Sequence, residues 1–431
     1  MEPEQSIYNS PAYKKSRSAY IAQCTFEYFV ALLVEDAFLA KLLSYIGVSD
    51  AWVGIISSFI TLAFVIQLAS IFLIKSRVST KKLVITFSTI SQLFFMFIYM
   101  VPFVPLSDTA KKALVVLSIL AAYAGQYLIS SICYKWANAY VSPDKRASYS
   151  ATKEMVSLST GILFTAAIGW VIDQYEGIGN LSGGFLFIAI SILVINVCNF
   201  ICLMCIKKES PEEANQSMQS LSNVIRYTLG NRDFRNITYL SILWEVARYF
   251  TVGFMGIFKT KDLMISVFAI QVINMVANFC RLLVSKPFGR YSDRTSFAKG
   301  YELGLYLAAV AFLVNVFTEP NQWYPVIAFT VFYSMSMAGI NQNNFNISYS
   351  YVDSAYITQA IALKNSIAGL CGFGASFLGG KILAAIQNNG NSLWGVPMYG
   401  QQLLSFISFI LVGAAILFTR LVIAKQKVKM Q

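Results

Sequence analysis

Histidine is absent from this chain of 431 residues. That excludes His-based acid–base catalysis, His proton relays and most zinc chemistry. Charge is scarce too. Asp, Glu, Lys and Arg make up 13% of the residues, where a soluble globular protein carries about 25%. No Gly-x4-Gly-Lys-Ser/Thr stretch occurs, so the phosphate-binding loop of an ATP-driven pump is missing. Seven cysteines are present: Cys24, Cys133, Cys198, Cys202, Cys205, Cys280 and Cys371. All fall inside apolar runs, so disulfides are not expected. The spacing of Cys198, Cys202 and Cys205 is loosely that of a metal site. Its surroundings are unbroken and apolar, so buried thiols are expected there, with no metal and no cofactor.

Apolar residues fill the space that charge leaves, at 56% of the chain and a mean hydropathy of +0.59. A helix needs about 20 residues to cross the hydrocarbon layer. Twelve runs qualify, at 19–46, 51–75, 83–104, 111–134, 148–172, 183–206, 234–258, 263–285, 300–318, 322–347, 356–386 and 398–421. Lys and Arg are distributed unevenly among the gaps. The N-terminus holds Lys14, Lys15 and Arg17, and the even-numbered gaps hold clusters such as Lys75, Arg77, Lys81 and Lys82, or Arg290, Arg294 and Lys299. The odd-numbered gaps hold only Lys111, Lys112, Lys259 and Lys261. Positive residues are retained on the cytoplasmic side, so the alternation predicts twelve crossings with both termini inside. It also explains the net charge of +12 without a nucleic-acid partner. Residues 1–18 are polar and the first run carries Glu27, Glu35 and Asp36, which predicts that no signal peptide is cleaved.

One gap is long and polar. It predicts an N-terminal half (1–206), a cytoplasmic linker (207–233) and a C-terminal half (234–431). The halves read as repeats. Ala151, Lys153, Gly161 and Gly169 correspond to Ala362, Lys364, Gly372 and Gly380 at a constant offset of 211. Arg77, Ser79 and Lys82 correspond to Arg294, Ser296 and Lys299 at an offset of 217.

The segment from Gly289 through Asp293 and Arg294 to Lys299 resembles the loop motif of the major facilitator superfamily. Trp136 through Arg146 resembles its loop between the fourth and fifth helices, and the stretches GINQNNFNISYSYV and IQNNGNSLWGVPMYGQQLLS are similar to a branch of bacterial permeases. The resemblance implies an all-α membrane protein with twelve transmembrane helices in two pseudo-symmetric six-helix bundles. It also implies solute transport by alternating access, with the site at the interface of the halves. The first copy of the loop motif departs from the pattern, with Phe72 for the glycine and Ser76 for the aspartate, and Ile357 stands where a second Arg146 would. In the family this loop's aspartate latches the inner gate onto a helix N-terminus and a basic residue of the other half. The resemblance therefore implies gating roles for Asp293, Arg294 and Arg146. The plainer alternative pairs Asp293 with Arg290 or Arg294 beside it.

Ionisable residues at bilayer depth need a partner or a cavity. On a continuous first helix Glu27 and Glu35 would lie about 80° apart, with Asp36 roughly opposite Glu27. One of these carries protons, in the order Glu35, Asp36, Glu27, or they are fixed in ion pairs. In the seventh run Glu245 and Arg248 stand at i, i+3, flanked by Trp244 and Tyr249. They hold a solute anion or hydroxyl, or they are a local structural pair. Tyr123, Gln126, Tyr127 and Ser130 form a stripe in the fourth run, and Gln271 and Asn274 begin one in the eighth. Such stripes line a path or join helices. Asn341, Gln342, Asn343, Asn344 and Asn346 are expected at an inner gate. Lys364 needs a partner or an inner water cavity, and the glycines Gly369, Gly372, Gly374, Gly379 and Gly380 allow helices to pack closely or bend.

These readings converge on a secondary active transporter and not an enzyme, in the cytoplasmic membrane as a monomer. Its expected partners are a small solute, protons and lipid. An uncoupled facilitator stands beside it, as do a membrane-embedded enzyme limited to carboxylate and lysine chemistry and a non-transporting sensor of the same fold. The topology is testable by cysteine labelling in a cysteine-free background. A cysteine at position 180 is expected to label from outside and one at 216 only from inside; the reverse pattern overturns the orientation.

Overall fold

The computed structural model describes residues 10–67, 79–141, 146–207, 221–351 and 357–425. It is all-α apart from a two-residue antiparallel ladder, β1 (Ser392–Leu393) with β2 (Val396–Pro397). The helices are α1 (Pro11–Leu33), α2 (Asp36–Tyr45), α3 (Asp50–Ser57), α4 (Phe59–Gln67), α5 (Thr80–Met100), α6 (Asp108–Asn138), α7 (Arg146–Gly177) and α8 (Leu181–Cys205). The short α9 (Leu221–Gly230) follows, then α10 (Arg232–Tyr249), α11 (Val267–Arg294), α12 (Phe297–Asn315), α13 (Pro325–Tyr349), α14 (Ile357–Asn388) and α15 (Gly400–Leu421). With α1–α2 and α3–α4 each counted as one span, and α9 left out, these make the twelve spans. Among the described residues ten are long and apolar enough to qualify by composition alone. The two that fail are the charged first span and α13, which is rich in Asn and Gln.

Helix ends follow local chemistry. Ser10 caps α1 with Pro11 at its first turn, Asn231 accepts from the backbone N–H of Asp233 and Phe234 at the start of α10, and Ser296 accepts from Lys299 at the start of α12. The faces are inverted relative to a water-soluble protein. In α8, Asn196 and Asn199 are 3% and 0% exposed, whereas Val194 and Val197 are 57% and 53% exposed. Leu, Ile and Val outward with amides inward is the pattern of a helix solvated by lipid.

The chain forms two compact units, residues 1–47 with 66–218, and residues 48–65 with 219–431. In the first, α5 packs on α6 and α8, and α1 packs on α7 and α8. Its core joins Tyr20, Val84, Ile129, Trp136, Tyr140 and Leu203. The C-terminal end of α8 leaves backbone carbonyls without helical partners. Lys81 Nζ donates to the carbonyls of Met204 and Ile206 at 2.6 and 2.7 Å. Trp136 Nε1 and Tyr140 Oη donate to the carbonyl of Lys207 at 3.1 and 2.7 Å. A cation at a helix C-terminus is favoured by the dipole as well.

In the second unit α12 packs on α13 and α15, and α10 packs on α14 and α15. The α3–α4 segment belongs here by contact. It lies along the glycine face of α14: a Cβ on Gly369 would stand 2.5 Å from the carbonyl oxygen of Thr61, and one on Gly380 would stand 2.8 Å from Ile55. At its start the buried Asp50 accepts from Lys261 Nζ at 2.7 and 2.9 Å and from Gln387 Nε2 at 2.8 Å.

Three features differ from the sequence expectation. The first span is not one helix. It breaks after Leu33, Glu35 is extended, and Asp36 restarts the helix at φ +46°. Aspartate tolerates that conformation better than most residues and favours a helix N-terminus. Glu27 and Glu35 therefore do not share a helical face. The seventh span likewise loses regular α geometry after Tyr249 and continues through short irregular turns to Asp262. The polar gap contains α9, while residues 208–220 of the expected linker lie outside the described residues.

The glycine seam makes a prediction. Gly369→Val forces a side chain against the Thr61 carbonyl and is expected to cost about 1–3 kcal/mol, lowering the unfolding temperature of the detergent-purified protein. Gly374→Ala, where nothing lies within 4 Å of the added carbon, is expected to leave it unchanged.

Candidate functional site

Each unit holds a polar cluster within its spans that contains residues singled out from the sequence. In the first unit Glu27 projects from α1 toward α5. Its Oε1 accepts a hydrogen bond from Ser88 Oγ at 2.9 Å, and Ser88 Oγ in turn accepts from Asn199 Nδ2 at 2.9 Å. Glu27, Val30, Ser88, Ser91, Gln92, Phe95 and Gln126 line a small pocket with room for about one water molecule. Both side-chain polar atoms of Gln92 and the hydroxyl of Ser91 are buried without a hydrogen-bond partner. An unmade bond of that kind costs about 1–3 kcal/mol, so the pocket is polar and unsaturated as it stands. Lys153 lies with its Nζ 5.6 Å over the ring of Tyr20 and acts electrostatically on Glu27.

In the second unit Glu245 and Arg248 stand one turn apart on α10, with Arg248 Nη1 3.6 Å from Glu245 Oε2. That is an ion pair without a hydrogen bond, and Glu245 Oε2 and Arg248 Nε are both buried and unbonded. Arg248 also lies 4.8 Å over the ring of Tyr249. Tyr333 of α13 faces Arg248 and Tyr301 of α12 lies near Glu245; the hydroxyl of Tyr301 is buried without a hydrogen-bond partner. Lys364 of α14 is 2% exposed and donates to Asn344 Oδ1 at 2.9 Å and Ser348 Oγ at 2.8 Å.

The residues singled out from the sequence are placed unevenly. Glu27 and Gln126 meet in one pocket, whereas Glu35 is exposed and Asp36 is half-buried at the helix break. Tyr123 is buried edge-on against Phe95, and Ser130 turns its hydroxyl back to the carbonyl of Tyr127 on its own helix. Trp244 is fully buried in the core beside Glu245, and Gln271 is buried in α11 with Asn274 half-buried one turn on. Asp293 and Arg294 are exposed at the end of α11. Arg146 opens α7, and its side chain lies outside the described residues.

Sequence reasoning missed Ser88, Ser91 and Gln92. Their i, i+3, i+4 spacing puts them on one helical face and was the available signal. It also missed Tyr301 and Tyr333, which carry no local signal, and the partners of Lys364, because Asn344 was expected at a gate.

Comparison with known proteins accords with this architecture. The family model described as MFS/sugar transport protein matches residues 20–354. Among curated proteins nothing matches the sequence. Among solved structures, a point variant of the nucleoside transporter NupG superposes with a TM-score of 0.73 at 12% identity, covering 94% of this chain and 99% of that one. A bacterial homologue of the human lysosomal transporter Spinster, inward-facing and unoccupied, gives 0.69 at 15% identity over 95% and 97%. A bacterial homologue of the iron transporter ferroportin, outward-facing, gives 0.61 at 12% identity over 95% and 99%. At such identities these likenesses speak for the fold alone. With the family match spanning most of the sequence, the chain belongs to the MFS/sugar transport protein family and is a multi-pass membrane transporter, not an enzyme.

Proposed function

We propose that this transporter is a proton-coupled secondary transporter of a small polar solute, working by alternating access in the cytoplasmic membrane with both termini inside. The observation that carries the coupling is the Glu27 pocket. A proton can drive transport only through a group whose surroundings change between wet and dry as the protein alternates. Glu27 meets the local requirements. It is a carboxylate inside a span, with a hydroxyl donor at 2.9 Å and a small pocket beside it that also holds Ser91, Gln92 and Gln126. Lys153 supplies a positive field that the ionised form can use. Glu35, ahead of it in the sequence ranking, stands in extended backbone at the helix break with its side chain at the protein surface, outside this pocket.

The solute is proposed to engage the α10 cluster of Glu245, Arg248 and Tyr249. There an unbonded donor, Arg248 Nε, and an unbonded acceptor, Glu245 Oε2, stand together within a span, where such groups are retained for a ligand or a partner. Asp293, with Arg294 and Arg146, remains a proposed inner latch, on family resemblance. A single protomer holds both clusters, so the working form is proposed to be a monomer.

The first step of the test is a thermal-shift screen of the purified protein for a solute that stabilises it by mass action. Uptake of that solute into proteoliposomes then separates the residues. Glu27→Gln is expected to abolish accumulation driven by a proton gradient while keeping solute exchange, since exchange needs alternation without net proton release. Glu35→Gln and Asp36→Asn are expected to accumulate at wild-type levels. Wild-type accumulation by Glu27→Gln removes Glu27 as the carrier. Equilibration without accumulation in the wild type makes the protein a facilitator.

A further inference from the structure

We infer that two turns of the second unit, residues 263–266 and 389–399, form a rim that rests on the membrane surface, with Met264 and Trp394 inserted among the lipid headgroups. That the leaflet is the outer one rests on the proposed topology; the contact with lipid does not.

The first support is a coincidence of strain and exposure. Trp394 and Met264 are 95% and 86% exposed, the highest values of any large hydrophobic residue among those described. Both also have left-handed backbones, at φ +52° and +50°, where a bulky side chain is an outlier. The other described non-glycine residues at positive φ are Asp36 and Asn391, types that tolerate it. In the hairpin Leu393 pairs with Val396, so Trp394 and Gly395 are its two loop residues, at φ +52° and +82°. Asn-Gly is the usual pair in such a loop. In the other turn Leu263 and Ile265 are buried and Met264 between them points out. With so little of either side chain covered, internal contacts do not offset the strain, and strain of this kind marks a role outside the fold.

The second support is that the two turns adjoin and lack charge. Gln401 Nε2 donates to Asp262 Oδ2 at 3.3 Å, and the rings of Phe258 and Tyr399 lie 6.4 Å apart. Met264 and Trp394 therefore stand at the same end of the unit, with the exposed Val396. No Asp, Glu, Lys or Arg occurs within 263–266 or between Lys381 and Arg420. Lys261 and Asp262, just before the first turn, are held by Asp50 and Gln401.

The third support is reach and continuity. Each turn joins two spans directly, and the ladder lifts its tip about 7 Å above its base at about 3.4 Å per residue. The headgroup layer is about 5–8 Å deep on each side of the hydrocarbon. The helices that follow the turns, α11 and α15, carry exposed Phe268, Phe406 and Ile410, so the rim continues a lipid-facing surface. An indole suits the layer, with an apolar body and one N–H donor.

Fluorescence of the full chain in vesicles tests the inference. The wild type less Trp394→Phe isolates the emission of position 394. Met264→Trp in the Trp394→Phe background, less that background, isolates position 264. Both positions are exposed, so each variant is expected to unfold at the wild-type temperature. Lipid brominated at the headgroup end of its acyl chains is expected to quench both emissions about twofold or more, and more strongly than lipid brominated near the chain ends. Aqueous iodide is expected to quench each about threefold less than free tryptophan. Iodide quenching equal to that of free tryptophan places the turns in water and overturns the inference. Shielding from both quenchers means that protein covers the turns and overturns it as well. So does quenching that is strongest from the chain ends, or lipid quenching at one position without the other. Brominated lipid in both leaflets makes the readout independent of orientation, which the labels at 180 and 216 decide, so rim and topology can fail separately.

Discussion

Hydrocarbon offers a polar group no solvent, and the arrangement of this chain follows from that constraint. Each amide, hydroxyl or charge placed within a span needs a protein partner, a wet cavity or a ligand. In α8 the two asparagines face inward and bond to α5, while the apolar residues face outward. At its end, where backbone carbonyls run out of helical partners, Lys81, Trp136 and Tyr140 supply donors. Asp50 is buried only because Lys261 and Gln387 reach it. Where partners are supplied, the structure is closed. Buried polar atoms left without a hydrogen-bond partner include those of Gln92 and Ser91 in one unit and of Glu245, Arg248 and Tyr301 in the other. The two functional proposals sit at those places.

Two lysines at matching offsets in the sequence stand in different surroundings. Lys153 and Lys364 occupy corresponding positions, one in each half. Lys153 lies over an aromatic ring with its field on Glu27, while Lys364 is sealed among neutral acceptors with its field on Glu245. A lysine thus lies within reach of a carboxylate in each unit. In the first the carboxylate faces a small pocket with Ser91, Gln92 and Gln126; in the second it shares its turn with an arginine. That asymmetry fits a division of labour between proton and solute.

Much of the architecture was legible in the sequence because lipid imposes a long, one-dimensional signal. The apolar runs and the Lys/Arg alternation reflect local composition over about 20 residues at a time, and the glycines of α14 marked a close-packed face. The break at Leu33–Asp36 was not legible, since the run is continuously apolar around an acidic pair and the kink is a matter of backbone conformation. Losing that helical continuity separates Glu35 from Glu27, which is why the ranking of the carboxylates changes. The placement of residues 48–65 with residues 219–431 depends on contacts far apart in sequence, such as Thr61 with Gly369, that no local pattern encodes. The partners of Lys364 were visible as a polar cluster in α13, but only the packing of α13 near α14 shows that Asn344 and Ser348 turn toward it.

The coupling assigned to Glu27 is tested most directly by following protons themselves. Protein is reconstituted into vesicles with a pH-sensitive dye trapped inside and the membrane potential clamped at zero, and the stabilising solute is added outside. Wild-type protein is expected to shift the internal pH as solute moves, and Glu27→Gln is expected to move solute by exchange with no pH shift. A pH shift of wild-type size in Glu27→Gln, or solute movement by the wild type without any pH shift, contradicts proton coupling at this carboxylate.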